Sequence, residues 1–169
     1  VLYGQFLFNA LYMGFSMGVA PVISYNYGRD NRSLLQRIFK ICISFVGVSS
    51  VLITMIALAA SPLIVEIFTP KGSETYEIAK TGFFLFSVNY VFAGINIFAS
   101  AMFTAFSDGK VSAIISFVRT FVMIVVNIVL LPYIIGVNGI WLAVPVAECM
   151  TLFLSCRYFC AKRKIYHYL

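Results

Sequence analysis

The chain has 169 residues, of which 62% are hydrophobic and only 11% charged, and its mean hydropathy is +0.97. Soluble domains carry about 25% charged residues, so this composition excludes a water-covered globule and indicates an all-α membrane protein. The net charge of +6 does not point to nucleic acid, because most of the basic residues flank apolar spans.

A hydrocarbon core of about 30 Å takes roughly 20 apolar residues at 1.5 Å each, and this ruler divides the chain into five helical spans. Lipid offers the backbone no partners, so apolar runs of this length read as helices. The first span runs from Val1 to Tyr25. It opens without an initiator Met or a signal-peptide layout, which sets the expectation of a piece of a longer chain. Ala10, Gly14 and Gly18 form a small-residue ridge that predicts tight packing on a neighbouring helix. Gln5, Asn9 and Tyr12 add a polar edge. Pro21 predicts a kink, either a hinge or a static bend. Gly28 predicts the helix end, since glycine takes a positive φ without a Cβ penalty.

The second span is read from Leu35 to Ala60, closed by Ser61-Pro62, and Thr69-Pro70-Lys71-Gly72-Ser73 reads as a turn. The third runs from Tyr76 to Phe106 and is long enough for one tilted or projecting helix. Ser107-Asp108-Gly109-Lys110 is a tight turn into the fourth span, Val111 to Tyr133. Leu131-Pro132, with Gly136 and Gly139, separates it from the fifth, Gly139 to Cys160, and residues 162–169 read as a basic tail. Short connections imply antiparallel neighbours.

Charge gives the topology. Arg29, Arg32, Arg37, Lys40, Lys110, Arg157, Lys162, Arg163 and Lys164 fall on one side, against Lys71 and Lys80 on the other. Lys and Arg accumulate on the cytoplasmic side of membrane helices. The first loop and the C-terminus are therefore expected to be cytoplasmic, with Val1 near the outer face.

Polar residues inside the spans are the candidates for function. On the third span Gly82, Phe86, Asn89, Ala93, Asn96, Ser100, Thr104 and Ser107 recur every three or four residues and share one face. Such a stripe either lines a water-filled cavity or packs closely against a neighbour, with Asn bonding across the interface. Arg119 stands roughly 12 Å in from the cytoplasmic side by helical rise, and Glu148 about 13 Å in from the other. In a core of about 30 Å the two come within roughly 5 Å in height, near enough to pair. Glu148 is then either a proton-titrating group modulated by Arg119 or half of a permanent ion pair, unless Arg119 snorkels to lipid phosphates.

Enzymatic signatures are absent: there is no Gly-rich phosphate loop, no His-Glu-x-x-His and no nucleophile constellation. The single histidine, His167, lies in the basic tail, and Cys42, Cys149, Cys156 and Cys160 occupy apolar runs without a Cys-x-x-Cys pair. Catalysis, a metal site and a cofactor are not expected.

Four segments carry a family resemblance. They are Pro21-Val22-Ile23-Ser24-Tyr25-Asn26-Tyr27-Gly28 before the basic loop; Leu63 to Pro70 (LIVEIFTP); Ser116-Phe117-Val118-Arg119 with Leu131-Pro132; and Gly136-Val137-Asn138-Gly139-Ile140-Trp141-Leu142-Ala143 with Pro145 and Ala147-Glu148. In order and spacing the chain resembles the C-terminal lobe of the multidrug and toxic compound extrusion (MATE) transporters, over nearly its whole length. The resemblance implies a twelve-helix protein of two six-helix lobes, of which this chain looks like helices eight to twelve. Its partners would be the N-terminal lobe and the first helix of its own lobe. It also implies a multi-pass protein of the inner (plasma) membrane that exports cationic, amphipathic compounds in exchange for H+ or Na+ by alternating access. On that reading Asn9, Tyr12, Asn89, Asn96, Ser100, Arg119 and Glu148 are the candidate transport pathway, with Pro21 and Gly28 at a kink or hinge. Many members place a cation-binding carboxylate in the N-lobe, and some use an acid on the tenth helix. The matching span here has Asn89 and Asn96 but no such acid. The alternatives are a lipid-linked oligosaccharide flippase of the same superfamily and a non-transporting helical assembly protein. Full burial of the third-span stripe would favour the last of these.

Overall fold

A computed structural model describes residues 2–169, and the side chains of residues 4–169. Val1, the expected start of the first span, lies outside them. The chain forms α1 (Leu2–Gly28), α2 (Arg32–Phe68), α3 (Glu74–Ser87), α4 (Tyr90–Ala105), α5 (Gly109–Phe117), a π-helical turn (Val118–Val122), α6 (Met123–Ile135) and α7 (Asn138–Tyr166). No strand occurs among the described residues. Four helical stretches are long and apolar enough to cross a membrane, or five if the bent pair α3–α4 is counted as one.

The centre is α4. Its buried residues include Tyr90, Asn96, Ile97, Phe98, Met102 and Phe103, which point to all sides, and α1, α2, α5 and α7 pack around it. Gly94 lets three helices meet: a Cβ there would stand 2.7 Å from both Ser50 Oγ of α2 and the Tyr12 ring of α1. The outer faces stay apolar, with Phe6, Leu7, Ile56, Phe117 and Phe153 exposed, as a helix bundle surrounded by lipid or by further helices requires.

Several boundaries differ from the sequence reading. Gly28 does not end α1 with a positive φ. It is the last helical residue, and the left-handed position falls to Asp30 at φ 52°. Asn31 N–H donates to Asn26 O and Asp30 N–H to Tyr27 O, both at 3.0 Å, so two non-glycine residues close the helix in the pattern usually completed by glycine. Helix α1 also runs unbroken through Pro21.

Ser61-Pro62 does not close the second span. Helix α2 continues to Phe68, 37 residues in all and roughly 55 Å at 1.5 Å per residue. Ala57, Ser61 and Val65 lie on one buried face, where Ala57 and Val65 pack with Tyr76 and Phe83 of α3. Tertiary packing outweighs the one hydrogen bond that Pro62 removes. The turn at 69–73 is present, with Ser73 Oγ accepting from Tyr76 N–H to cap α3.

The third span is not one helix. It breaks between α3 and α4 with a bend of 46°. At the break Asn89 turns its own Nδ2 back onto Phe86 O at 2.6 Å, and its backbone N–H takes the same carbonyl at 3.0 Å. Asn89 thus replaces regular helix bonding with local ones, the competition expected of Asn in a helix interior.

The small-residue ridge is also unpartnered among the described residues: Ala10, Gly14 and Gly18 are exposed, and nothing lies within 4 Å of a Cβ at Gly14 or Gly18. Helix α1 packs its other edge, Tyr12, Phe15, Val19 and Ile23, into the bundle. Residues 162–169 are not a free tail, since α7 extends to Tyr166. His167 reverses the chain at φ 54° and Tyr168 is buried among Phe39, Phe106 and Phe159.

The basic residues do collect at one end. Ser24 Oγ donates to Ala105 O at 2.7 Å, Phe39 meets Phe159 at 5.4 Å, and Lys162 pairs with Asp108 at 3.1 Å. The ends of α1 and α4, the start of α2, the α4–α5 turn and the end of α7 are thereby brought together. Lys71 and Glu66 pair at the opposite end.

Candidate functional site: a groove beside a buried ion pair

A groove of about 250 Å³ lies between α1, α4 and α5. Its walls are Asn9, Met13, Ser16 and Met17 from α1, Ile97, Ser100 and Ala101 from α4, and Ser116 and Arg119 from α5 and the π-turn. Methionine supplies adaptable apolar contact here. Arg119 sits inside the π-turn, a local widening of the helix that recurs at functional positions.

Behind Arg119 lies a buried polar chain. Its Nε donates to Glu148 Oε1 at 2.8 Å and Oε2 at 3.0 Å, and Nη2 stands 2.7 Å from Oε1. Asn96 Nδ2 donates to Glu148 Oε2 at 2.8 Å and to the Glu148 backbone carbonyl at 2.9 Å. Asn96 Oδ1 in turn accepts from Ser155 Oγ at 2.9 Å. Glu148 is 4% exposed. A buried carboxylate is tolerable only when paired and hydrogen-bonded, and this one is both. The height argument from sequence thus ends in a direct ion pair.

A second polar seam joins α4 to α5. Thr104 Oγ1 donates to Ser112 Oγ at 2.7 Å, Ser112 and Ser100 hydroxyls stand 2.8 Å apart, and Ser100 and Ser116 hydroxyls 2.7 Å apart.

Of the predicted pathway residues, the structure brings Asn9, Ser100 and Arg119 together on the groove. Glu148 contacts the groove only through Arg119. Asn89 and Asn96 are fully buried, so that half of the stripe is helix packing rather than groove wall. Tyr12 is buried as well, with its hydroxyl donating to Tyr90 O at 3.2 Å. Pro21 and Gly28 lie on α1 beyond the groove residues. Sequence reasoning missed Ser16, Ser112, Ser116 and Ser155. The signal was there, since Ser112, Ser116 and Arg119 are spaced four and three apart on one helical face, as are Glu148, Thr151 and Ser155 in the order three and four.

The MatE family model matches residues 4–129. The chain belongs to the MatE family. No curated protein and no solved structure matches it at a significant level. MatE proteins are transporters rather than enzymes. The match takes in every wall of the groove, Arg119 included, while Glu148 lies beyond its last residue.

Proposed function

We propose that this MatE chain forms one lobe of a cation-coupled antiporter, exporting amphipathic or cationic compounds in exchange for H+ or Na+. A second, N-terminal lobe and one further helix would complete the cavity. The observation that carries the reading is Arg119 on the wall of an otherwise uncharged groove, paired with the buried Glu148 behind it. Ionisable groups at bilayer depth are costly and mark pathways by default. The Lys and Arg asymmetry supports a multi-pass protein of the inner (plasma) membrane with its basic end and C-terminus in the cytoplasm.

In this reading Glu148 carries the exchanged proton and Arg119 holds it in place. The flippase alternative calls for several free cations to grip a pyrophosphate. Arg119 alone faces the groove among the described residues, and its charge is already matched by Glu148. The test is efflux of a fluorescent cationic dye from vesicles carrying the full-length protein, under a proton gradient and then a sodium gradient. Dye movement under one gradient names the ion. No movement under either, with the protein folded and inserted, overturns drug export and brings lipid flipping forward. A Glu148→Gln protein that exports with unchanged pH dependence removes the proton role.

A further inference from the structure

Hydroxyls inside these helices normally return their proton to the carbonyl one turn back. Ser87, Thr54, Thr120 and Thr151 all do so, at 2.7–2.8 Å. Ser16 does not. It is 3% exposed, and its Oγ has no hydrogen-bond partner. On the same face of α1, two turns earlier, the buried Oδ1 of Asn9 is also without a partner. Ser61 is likewise unpartnered, but of these two serines only Ser16 lines the groove with Arg119. A buried polar atom without a partner is destabilising, and two of them stand on one groove wall.

Their chemistry restricts what they can bind. Asn9 Oδ1 only accepts, so it needs a donor. Ser16 Oγ both donates and accepts. The charged edge of Arg119 formed by Nε and Nη2 is committed to Glu148. The groove holds no free carboxylate to meet a positive centre. Asn9 and Ser16 stand roughly 10 Å apart along α1, seven residues at 1.5 Å each, with Met13 and Ile97 as apolar wall.

Resting on the antiporter reading, we infer that this groove recognises its substrates through uncharged hydroxyl or carboxamide groups bonded to Ser16 and Asn9, and not through their cationic centre. The substrate class is therefore amphipathic compounds with an apolar body and such a group at its end. The positive charge sits away from this wall. A site built to bond a hydroxyl discriminates strongly against the analogue that lacks it, because its own buried groups are then left unpaired.

The experiment uses the full-length protein in lipid nanodiscs and two dansyl probes that share an ammonium group. One ends in a hydroxyl and the other in a methyl group of the same size. Fluorescence titration should give about tenfold tighter binding of the hydroxyl probe, the loss of one hydrogen bond being worth about that factor. Ser16→Ala or Asn9→Leu should shrink the ratio of the two affinities, and Ser16→Thr should restore the ratio lost in Ser16→Ala. Equal binding of the two probes by the parent overturns the inference and leaves the antiporter reading standing. So does a preference that survives in both Ser16→Ala and Asn9→Leu. Binding of neither probe by folded protein overturns both.

Discussion

The basic end of the bundle and the groove at mid-depth solve the same problem, burying polar groups among apolar helices, in opposite ways. At the basic end Asp108 Oδ1 accepts from Val111 N–H, and Oδ2 accepts from Tyr166 OH and pairs with Lys162. Tyr166 stacks on Phe106 at 4.7 Å, and Tyr168 closes the cluster with its hydroxyl on Phe159 O. At the groove, Asn9 and Ser16 are left without partners and the only charge is held from behind. The first region is saturated, as a part that holds helices together must be. The second keeps open bonding capacity, which is destabilising unless something binds.

The sharpest way to break the contrast is to unpair the charge. Arg119→Ala or Glu148→Ala alone leaves one buried ion without its partner and should cost about 3–5 kcal/mol, read as a large drop in melting temperature in detergent. The double change Arg119→Met with Glu148→Leu should return near the parent's stability, because an apolar pair of similar volume replaces a desolvated one. Single variants as stable as the parent would show that the pair is not what the groove wall rests on.

Next in size is the clasp. Tyr168→Ala removes a fully buried ring from the aromatic cluster and should cost about 3 kcal/mol, in the range of large aromatic truncations. Affinity for a groove-bound dye should stay the same. A variant that melts normally but binds dye poorly would invert the assignment of the two regions.

The two regions also differ in how far the sequence reveals them. Span number, the polarity of the ends and the depth match of Arg119 with Glu148 follow from residue counts, because helical rise and bilayer thickness fix heights. What faces what does not follow. Asn89 and Asn96 share a face with Ser100, yet the break at Asn89 and the pull of Glu148 bury both. Pro62 reads as a stop, but packing of α2 on α3 carries the helix past it. The tail's polar composition hides Tyr168, whose burial depends on a chain reversal at His167 that no glycine announces. Ser16 is invisible for a plainer reason: a lone serine on an apolar helix ordinarily bonds its own backbone, and only the folded structure shows that this one does not.

The smallest expected effect tests the saturation of the basic end by acid. Burial raises the Asp108 carboxyl, but the bonds from Tyr166 and Lys162, the Val111 N–H and the Lys162 charge outweigh it and hold the group below its ordinary value of 3.8. A carboxylate depressed in the folded state adds stability that is fully present above its unfolded value and is lost as pH falls through the folded one. Melting temperature should therefore decline as pH falls below about 5 and on through the depressed folded value, and Asp108→Asn should flatten part of that decline. The variant should also be less stable than the parent at neutral pH, since Lys162 loses its partner. Asp30 is depressed as well, through its bond to Arg32, but it is exposed at a loop where solvent screens the pair. Asp30→Asn should leave the acid limb almost unchanged, so the difference between the two variants isolates the clasp from the loop beside it.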